Sequence, residues 1–180
     1  MTLGSPFRVR YKQSSELYHS HEREQIHGQE RAVWSDILSR MELQFSTQGF
    51  TDILNITPEV AKAVQNAGVR DGVAHLFVSG STAALTTIEY EPGALADLKR
   101  ALETIAPANG EYAHNEAWGD GNGYAHLRSA LLKPDLCVPI QGGKLALGTW
   151  QQIVLMDFDN RPRRRTVLLT VTEAAKLRSS

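Results

Sequence analysis

Leu136-Cys137-Val138-Pro139-Ile140-Gln141-Gly142-Gly143-Lys144-Leu145-Ala146-Leu147-Gly148-Thr149 is the stretch that settles the class of fold. Two apolar runs are joined by Gln-Gly-Gly, and glycines supply the positive φ that a tight hairpin turn demands. Residues 136–140 and 144–149 therefore read as antiparallel neighbours. Downstream, residues 151–158 and 165–172 read as two more strands, linked by a turn at Asp159-Asn160-Arg161-Pro162. Upstream, residues 41–48 alternate apolar and polar as a half-buried strand does, and 72–79 and 82–90 are further strands. Between them Thr57-Pro58-Glu59 opens a helix, with Thr57 as N-cap, proline at the first position and Glu59 favouring the dipole. Val60, Ala61, Val64 and Ala67 share its apolar face, and Gly68 stops it. Pro92–Ile105 is the second main helix, with Leu95, Leu98, Leu102 and Ile105 facing inward. A short helix over 125–132 ends before Pro134. Strands cluster rather than alternate singly with helices, so the class is α+β, not a doubly wound parallel sheet.

A chain of 180 residues supports a single domain. The formal net charge of −1 gives no reason to expect nucleic acid or an anionic membrane as partner. With no long apolar run and no signal-peptide pattern, a cytoplasmic location is expected. Cys137 is the only cysteine and reads as a reduced, buried small hydrophobe. Residues 1–40 have little strand-like alternation; they read as a loosely attached N-terminal extension without catalytic role, with an amphipathic helix over 29–40. The domain proper is 41–180. His19, His21 and His27 in the extension lie in nothing that looks like a built site.

Chemistry concentrates in His114 and in Asp120-Gly121-Asn122-Gly123-Tyr124-Ala125-His126-Leu127-Arg128-Ser129. Two imidazoles, a carboxylate, an amide and a guanidinium crowd one glycine-rich loop and the first turn of a helix. His114 and His126 suit proton transfer or metal contact near neutral pH; the plainer reading is that each hydrogen-bonds the loop. Asp120 orients a histidine or holds a cation, or it is an Asx-turn residue beside glycine. Arg128 suits phosphate near a helix N-terminus. Ser81 and Thr82, after Gly80, form a hydroxyl-rich turn whose N–H groups suit an anion, though small polar turns are common. Glu89, near a strand end, is a further metal candidate or a solvated carboxylate, and Glu91 reads as solvated. Trp150 either stacks on an aromatic ligand or packs in the core or between subunits. Arg161, Arg163, Arg164 and Arg165 cross a turn without aromatic interleaving and read as a solvated or intersubunit ion-pairing face.

From about residue 41 onward the chain resembles the YjbQ-like family, often labelled secondary thiamine-phosphate synthase. The matching segments are Gly80-Ser81-Thr82-Ala83-Ala84-Leu85-Thr86, His114-Asn115, Asp120-Gly121-Asn122-Gly123 with Ala125-His126-Leu127-Arg128-Ser129, Leu145-Ala146-Leu147-Gly148-Thr149-Trp150-Gln151-Gln152, and Asp157-Phe158-Asp159. The resemblance implies an α+β domain containing a β-sandwich of antiparallel strands with two main helices. It also implies a homotrimer with a polar site where subunits meet. The activity implied is a transferase of thiamine biosynthesis, which joins a pyrimidine diphosphate to a thiazole phosphate and releases pyrophosphate. On this reading His114, His126 and Asp120 are catalytic, and Ser81, Thr82, Asn122, Arg128 and Trp150 bind the small phosphorylated substrate. A divalent metal, Mg²⁺ or Zn²⁺, is held by His114, His126 and Glu89. The alternative is a non-enzymatic trimer that binds a phosphorylated metabolite or a metal without turnover; a metal-dependent hydrolase carries less weight. Many relatives have histidine at the positions of Gly80 and Tyr124, which thins the imidazole set here. His75 does not replace them, because it shares a strand face with Phe77 and points away from position 80.

Overall fold

The computed structural model describes residues 8–10 and 38–174. In chain order these form β1 (Arg8–Arg10), β2 (Leu38–Thr47), β3 (Asp52–Asn55), α1 (Thr57–Ala67), β4 (Gly72–Val78) and β5 (Ala83–Glu89). There follow α2 (Pro92–Ile105), α3 (Ala113–Trp118), α4 (Gly123–Leu132), β6 (Asp135–Gln141), β7 (Lys144–Leu145), β8 (Gln151–Asp157) and β9 (Arg163–Glu173). The strands make two antiparallel sheets, one of six in the order β1-β2-β9-β4-β6-β7 and one of three in the order β3-β8-β5. The expected α+β class with antiparallel sheets is what the chain forms.

The small sheet is the middle layer. On β8, Ile153 and Leu155 join the core shared with the large sheet and α1, while Val154 and Met156 pack with Leu102, Tyr124 and Ala125 of α2 and α4. Both faces of this strand are dry, which is why 153–156 is apolar without alternation. Burying each of these side chains contributes about 1.5–3 kcal/mol. The large sheet has one inner face, and its strands alternate: Ala74, Leu76 and Val78 are buried, as are Val167, Leu169 and Val171. Phe77 and Leu168 point outward and are exposed.

Several expectations change in detail. Cys137 is exposed, because Val138 and Ile140 take the inward positions of β6 and its neighbours must alternate outward. Ile105 is 62% exposed at the end of α2, whose only buried residue is Leu102. Glu91 is not merely solvated: its carboxylate caps α2 by accepting from the Gly93 and Ala94 N–H groups. Thr57 is the first helical residue and not the cap; its hydroxyl accepts from Ile153 N at 2.8 Å and pins α1 to β8. Of the strand expected at 144–149, only Lys144–Leu145 pairs. β3 and α3 are elements that pattern reading passed over. Residues 38–40, expected to end a helix, are strand, and β1 pairs with β2 on the edge of the large sheet. The remainder of the 29–40 helix and His19, His21 and His27 lie outside the described residues.

Candidate functional site

The C-terminal end of β8 and the start of β5 lie side by side, with Ala83 opposite Asp157. Three loops converge there, 80–82, 119–122 and 158–162. α4 is fixed to this end by Ser129, whose hydroxyl donates to Ala83 O at 2.7 Å.

His114 sits on α3 and not in a loop, so its direction is set by helical geometry. Gly119 closes α3 in the left-handed conformation (φ 68) and turns the chain back, which brings Asp120 Oδ1 to 3.4 Å from His114 Nε2. Asn160 Nδ2 donates to Asp120 O at 2.7 Å and holds that turn against the 158–162 loop. His126, in the first turn of α4, places its ring centroid 4.4 Å from that of His114 at an interplanar angle of 51°.

Asn122 occupies the N-cap position of α4, where its side chain would ordinarily accept an N–H bond; it makes none. Asn115 does that work instead, its Oδ1 accepting from Gly123 N at 2.9 Å. The close approach requires glycine at 123, because a Cβ there would lie 2.6 Å from the Tyr112 Cβ. The buried Asn122 amide is thereby free to face the histidines. Its inward atom lies 3.3 Å from each of His114 Nε2 and His126 Nε2, and 3.1 and 3.2 Å from the Asp120 oxygens. With NH2 inward, its two N–H groups have all four acceptors within reach. With its oxygen inward, it meets only acceptors, an arrangement that a cation between them relieves.

Among the described residues no three His, Cys, Asp and Glu side chains form a metal cage by themselves. Asn122 is what the three side chains share, its inward atom lying within 3.3 Å of His114, His126 and Asp120. The Asn122 and His114–Asp120 distances match the spacing of such ligands: donors 2.0–2.1 Å from a tetrahedral ion stand about 3.3 Å apart.

Other expected residues fall elsewhere. Arg128 is 2% exposed and turned into the fold, where Nε and Nη2 donate to Ala106 O at 2.9 and 2.7 Å. Its Nη1 donates to Thr51 Oγ1 at 2.8 Å, and Nη2 also pairs with Glu103 at 2.5 Å. Every part of that guanidinium is committed, so Arg128 fastens α4 to the end of α2 and offers nothing to a phosphate. The Ala108 N–H first, then Arg128, holds the Glu103 carboxyl below its usual range. Glu89 pairs with Gln151 at the opposite end of β5, about 20 Å from Ala83 at strand spacing. Trp150, 70% exposed, is beside Gln151 at that same distant end. Glu89 therefore does not join His114 and His126 within one chain. Ser81 is exposed on its turn, whereas Thr82 is buried and its hydroxyl donates to Asp159 Oδ2 at 3.1 Å.

Arg165, expected on a solvated or intersubunit ion-pairing face, is buried and paired within the chain with Asp157 at 2.6 and 2.7 Å. Asp157 also accepts from Thr47. Burial alone would raise the pKa of Asp159, but Arg163, the Asn160 N–H and the Thr82 hydroxyl outweigh it and hold the carboxyl below its ordinary range. Burial raises the Tyr124 phenol, which is 4% exposed and lies with its ring 5.0 Å from the Arg128 guanidinium carbon. The missed Asn160 carried no signal beyond turn chemistry. The Asp-x-Asp spacing of 157 and 159 against Arg163 and Arg165 was the available sign of a buried ion network.

Fold and cluster together define a two-sheet antiparallel α+β protein with an imidazole, carboxylate and amide site at one end of its middle layer. The model of the UPF0047 protein YjbQ-like family matches residues 41–174, and the chain belongs to that family. It is 38% identical over 129 residues to a UPF0047 protein of Archaeoglobus fulgidus, covering 72% of this chain and 98% of that one. It is 34% identical to a Methanothermobacter thermautotrophicus relative over 72% of this chain and 89% of the relative. Among solved structures, a YbjQ-like protein from Sulfolobus solfataricus P2 superposes with a TM-score of 0.72 at 28% identity, covering 76% of this chain and 98% of that one. A yjbq/upf0047 family protein from Clostridium acetobutylicum gives 0.67 at 35% identity, over 73% and 98%. Among the described residues no helix is long and apolar enough to cross a membrane.

Proposed function

We propose that this chain is a metal-assisted transferase for small phosphorylated heterocycles, of the thiamine-phosphate synthase kind. The convergence of His114, His126 and Asp120 on the inward atom of Asn122 carries the reading. His114, His126, Asp120 and Asn122 would hold the ion, Mg²⁺ or, given two imidazoles, preferentially Zn²⁺. When bound, the cation stabilises negative charge that develops on the departing pyrophosphate oxygens. The chain's own residues do the positioning. Asn160 fixes the carbonyl of Asp120, α3 and α4 fix the two rings, and the exposed Ser81 hydroxyl contributes a donor at the 80–82 turn. Joining a pyrimidine carbon to a thiazole nitrogen needs aligned partners more than a strong nucleophile. Glu89 and Trp150 enter such a site only when a neighbouring copy supplies them, as in the trimer the family resemblance implies.

One observation favours a second reading, binding without turnover. Tyr124 is packed into the core against Arg128 and adds no donor to the cluster. Pyrophosphate release from a pyrimidine diphosphate and a thiazole phosphate, with and without added Zn²⁺ or Mg²⁺, separates the two. Metal-dependent release that disappears in His126→Ala supports the transferase. Metal uptake with no release under any condition supports the binder.

A further inference from the structure

The proposed reading leaves the ligand's phosphate without a cationic side chain, because Arg128 is spent inside the fold. Arg165 supplies one. Its Nε and Nη2 are gripped by Asp157, and Nη2 also donates to Thr82 Oγ1 at 2.7 Å. This fork fixes the plane of the guanidinium. Nη1 is left over and donates to no described residue. Among the described residues the one fully buried side-chain nitrogen or oxygen without a partner is Glu59 Oε2, so with respect to the described residues Nη1 is open although Arg165 as a whole is only 7% exposed.

The opening lies over Gly80. A Cβ built on that residue would stand 2.9 Å from Nη1, the nearest atom it meets. Gly80 also has φ 154, a conformation that L side chains rarely adopt. The absence of a side chain there is what exposes the guanidinium. The amides of Gly80, Ser81 and Thr82 donate to no described backbone group, so three further donors on the same turn are uncommitted to the backbone. Asp157 and Asp159 balance Arg165 and Arg163 in charge, so the pull on an anion comes from directed N–H donors rather than net positive charge.

The opening belongs to the same end of the molecule as the polar cluster. Ser129, three residues along α4 from His126, bonds Ala83 O, and the Thr82 hydroxyl bonds Asp159, whose neighbour Asn160 holds Asp120. We propose that Arg165 Nη1, reached through the gap over Gly80, binds a phosphate oxygen of the ligand, with the N–H groups of residues 80–82 completing the cradle. This rests on the reading that the site takes a phosphorylated molecule. A guanidinium N–H held in place by its other bonds and open to the outside makes a charge-assisted bond to an oxyanion without further ordering of the side chain.

Calorimetric titration of inorganic pyrophosphate into metal-stripped and cobalt(II)-loaded protein tests this, with Gly80→Ala, Arg165→Lys and wild type compared. Cobalt uptake is read separately by visible absorption, and folding by thermal melting. Pyrophosphate should bind at least tenfold more weakly to both variants while cobalt uptake is unchanged. Gly80→Ala keeps Arg165 and its partner Asp157, so it decides the matter where Arg165→Lys melts too early. Equal pyrophosphate affinity in wild type and Gly80→Ala would make Arg165 a structural clamp only and overturn the proposal. Cobalt uptake by a wild type that ignores pyrophosphate would overturn it too, while leaving the metal reading intact. Gly80-dependent pyrophosphate binding without cobalt uptake would uphold it and contradict the metal reading.

Discussion

Asn122 is where two chemistries compete for one amide. As a hub of NH2 donors it ties His114, His126 and Asp120 together without help; as an oxygen ligand it needs a cation. Asn122→Asp separates these cases. A carboxylate at the centre adds charge to the ligand set, so Zn²⁺ affinity should hold or rise, while the metal-free variant should melt below wild type from repulsion with Asp120. Unchanged melting without metal would count against the close packing of acceptors described above. Asp157 and Arg165 form the other demanding pair. Arg165→Met strands a carboxylate that is fully buried, and the loss should be about 3–5 kcal/mol in denaturant unfolding. A loss under about 1 kcal/mol would show that water reaches Asp157. Asp159 adds a pH signature. Its folded pKa is depressed, so the stability it gives is complete above the unfolded value of about 3.9 and is lost as pH falls through the lower folded value. In Asp159→Asn that part of the acid sensitivity should vanish, as melting curves between neutral and strongly acidic pH would show.

At the scale of elements, α4 has two faces with separate duties. His126 looks to the cluster; Arg128, two residues on, looks into the fold and joins α4 to Ala106, Thr51 and Glu103. Arg128→Met should therefore lower stability and leave pyrophosphate affinity of the folded fraction unaltered. A selective loss of that affinity would restore Arg128 to the site. Glu91→Ala removes the cap of α2 and should cost about 1 kcal/mol, measured by denaturant unfolding. The boundaries of α2 were legible because Pro92 starts it and leucines recur at helical spacing. α3 was not legible: six residues, Ala113–Trp118, carry no apolar stripe and no proline or N-cap signal. The glycines around 119–123 looked like loop freedom, yet Gly119 is a helix C-cap and Gly123 admits the Tyr112 ring. Arg128 misled for a physical reason, since nearness to a helix N-terminus says nothing about which face of the helix a side chain takes.

The whole molecule is a middle sheet buried on both faces, and its loop end gathers the cluster while its other end holds Glu89 and Trp150. The antiparallel class followed from the hairpin and from strand clustering, but which residues meet at which end depends on register, which the sequence pattern does not encode. Glu89, a metal candidate by residue type, lies at the far end of β5 because the register pairs it with Gln151. If the implied trimer closes the site, sedimentation should report a mass three times that of the chain; a monomer would leave Glu89 and Trp150 out of the chemistry. The central claim, that His114, His126, Asp120 and Asn122 bind a divalent ion, is tested most directly by calorimetric titration of Zn²⁺ into metal-stripped protein. Saturable uptake of one ion per chain, abolished in His126→Ala while its melting temperature is retained, is the predicted result. No saturable uptake, or uptake indifferent to His126, would contradict it.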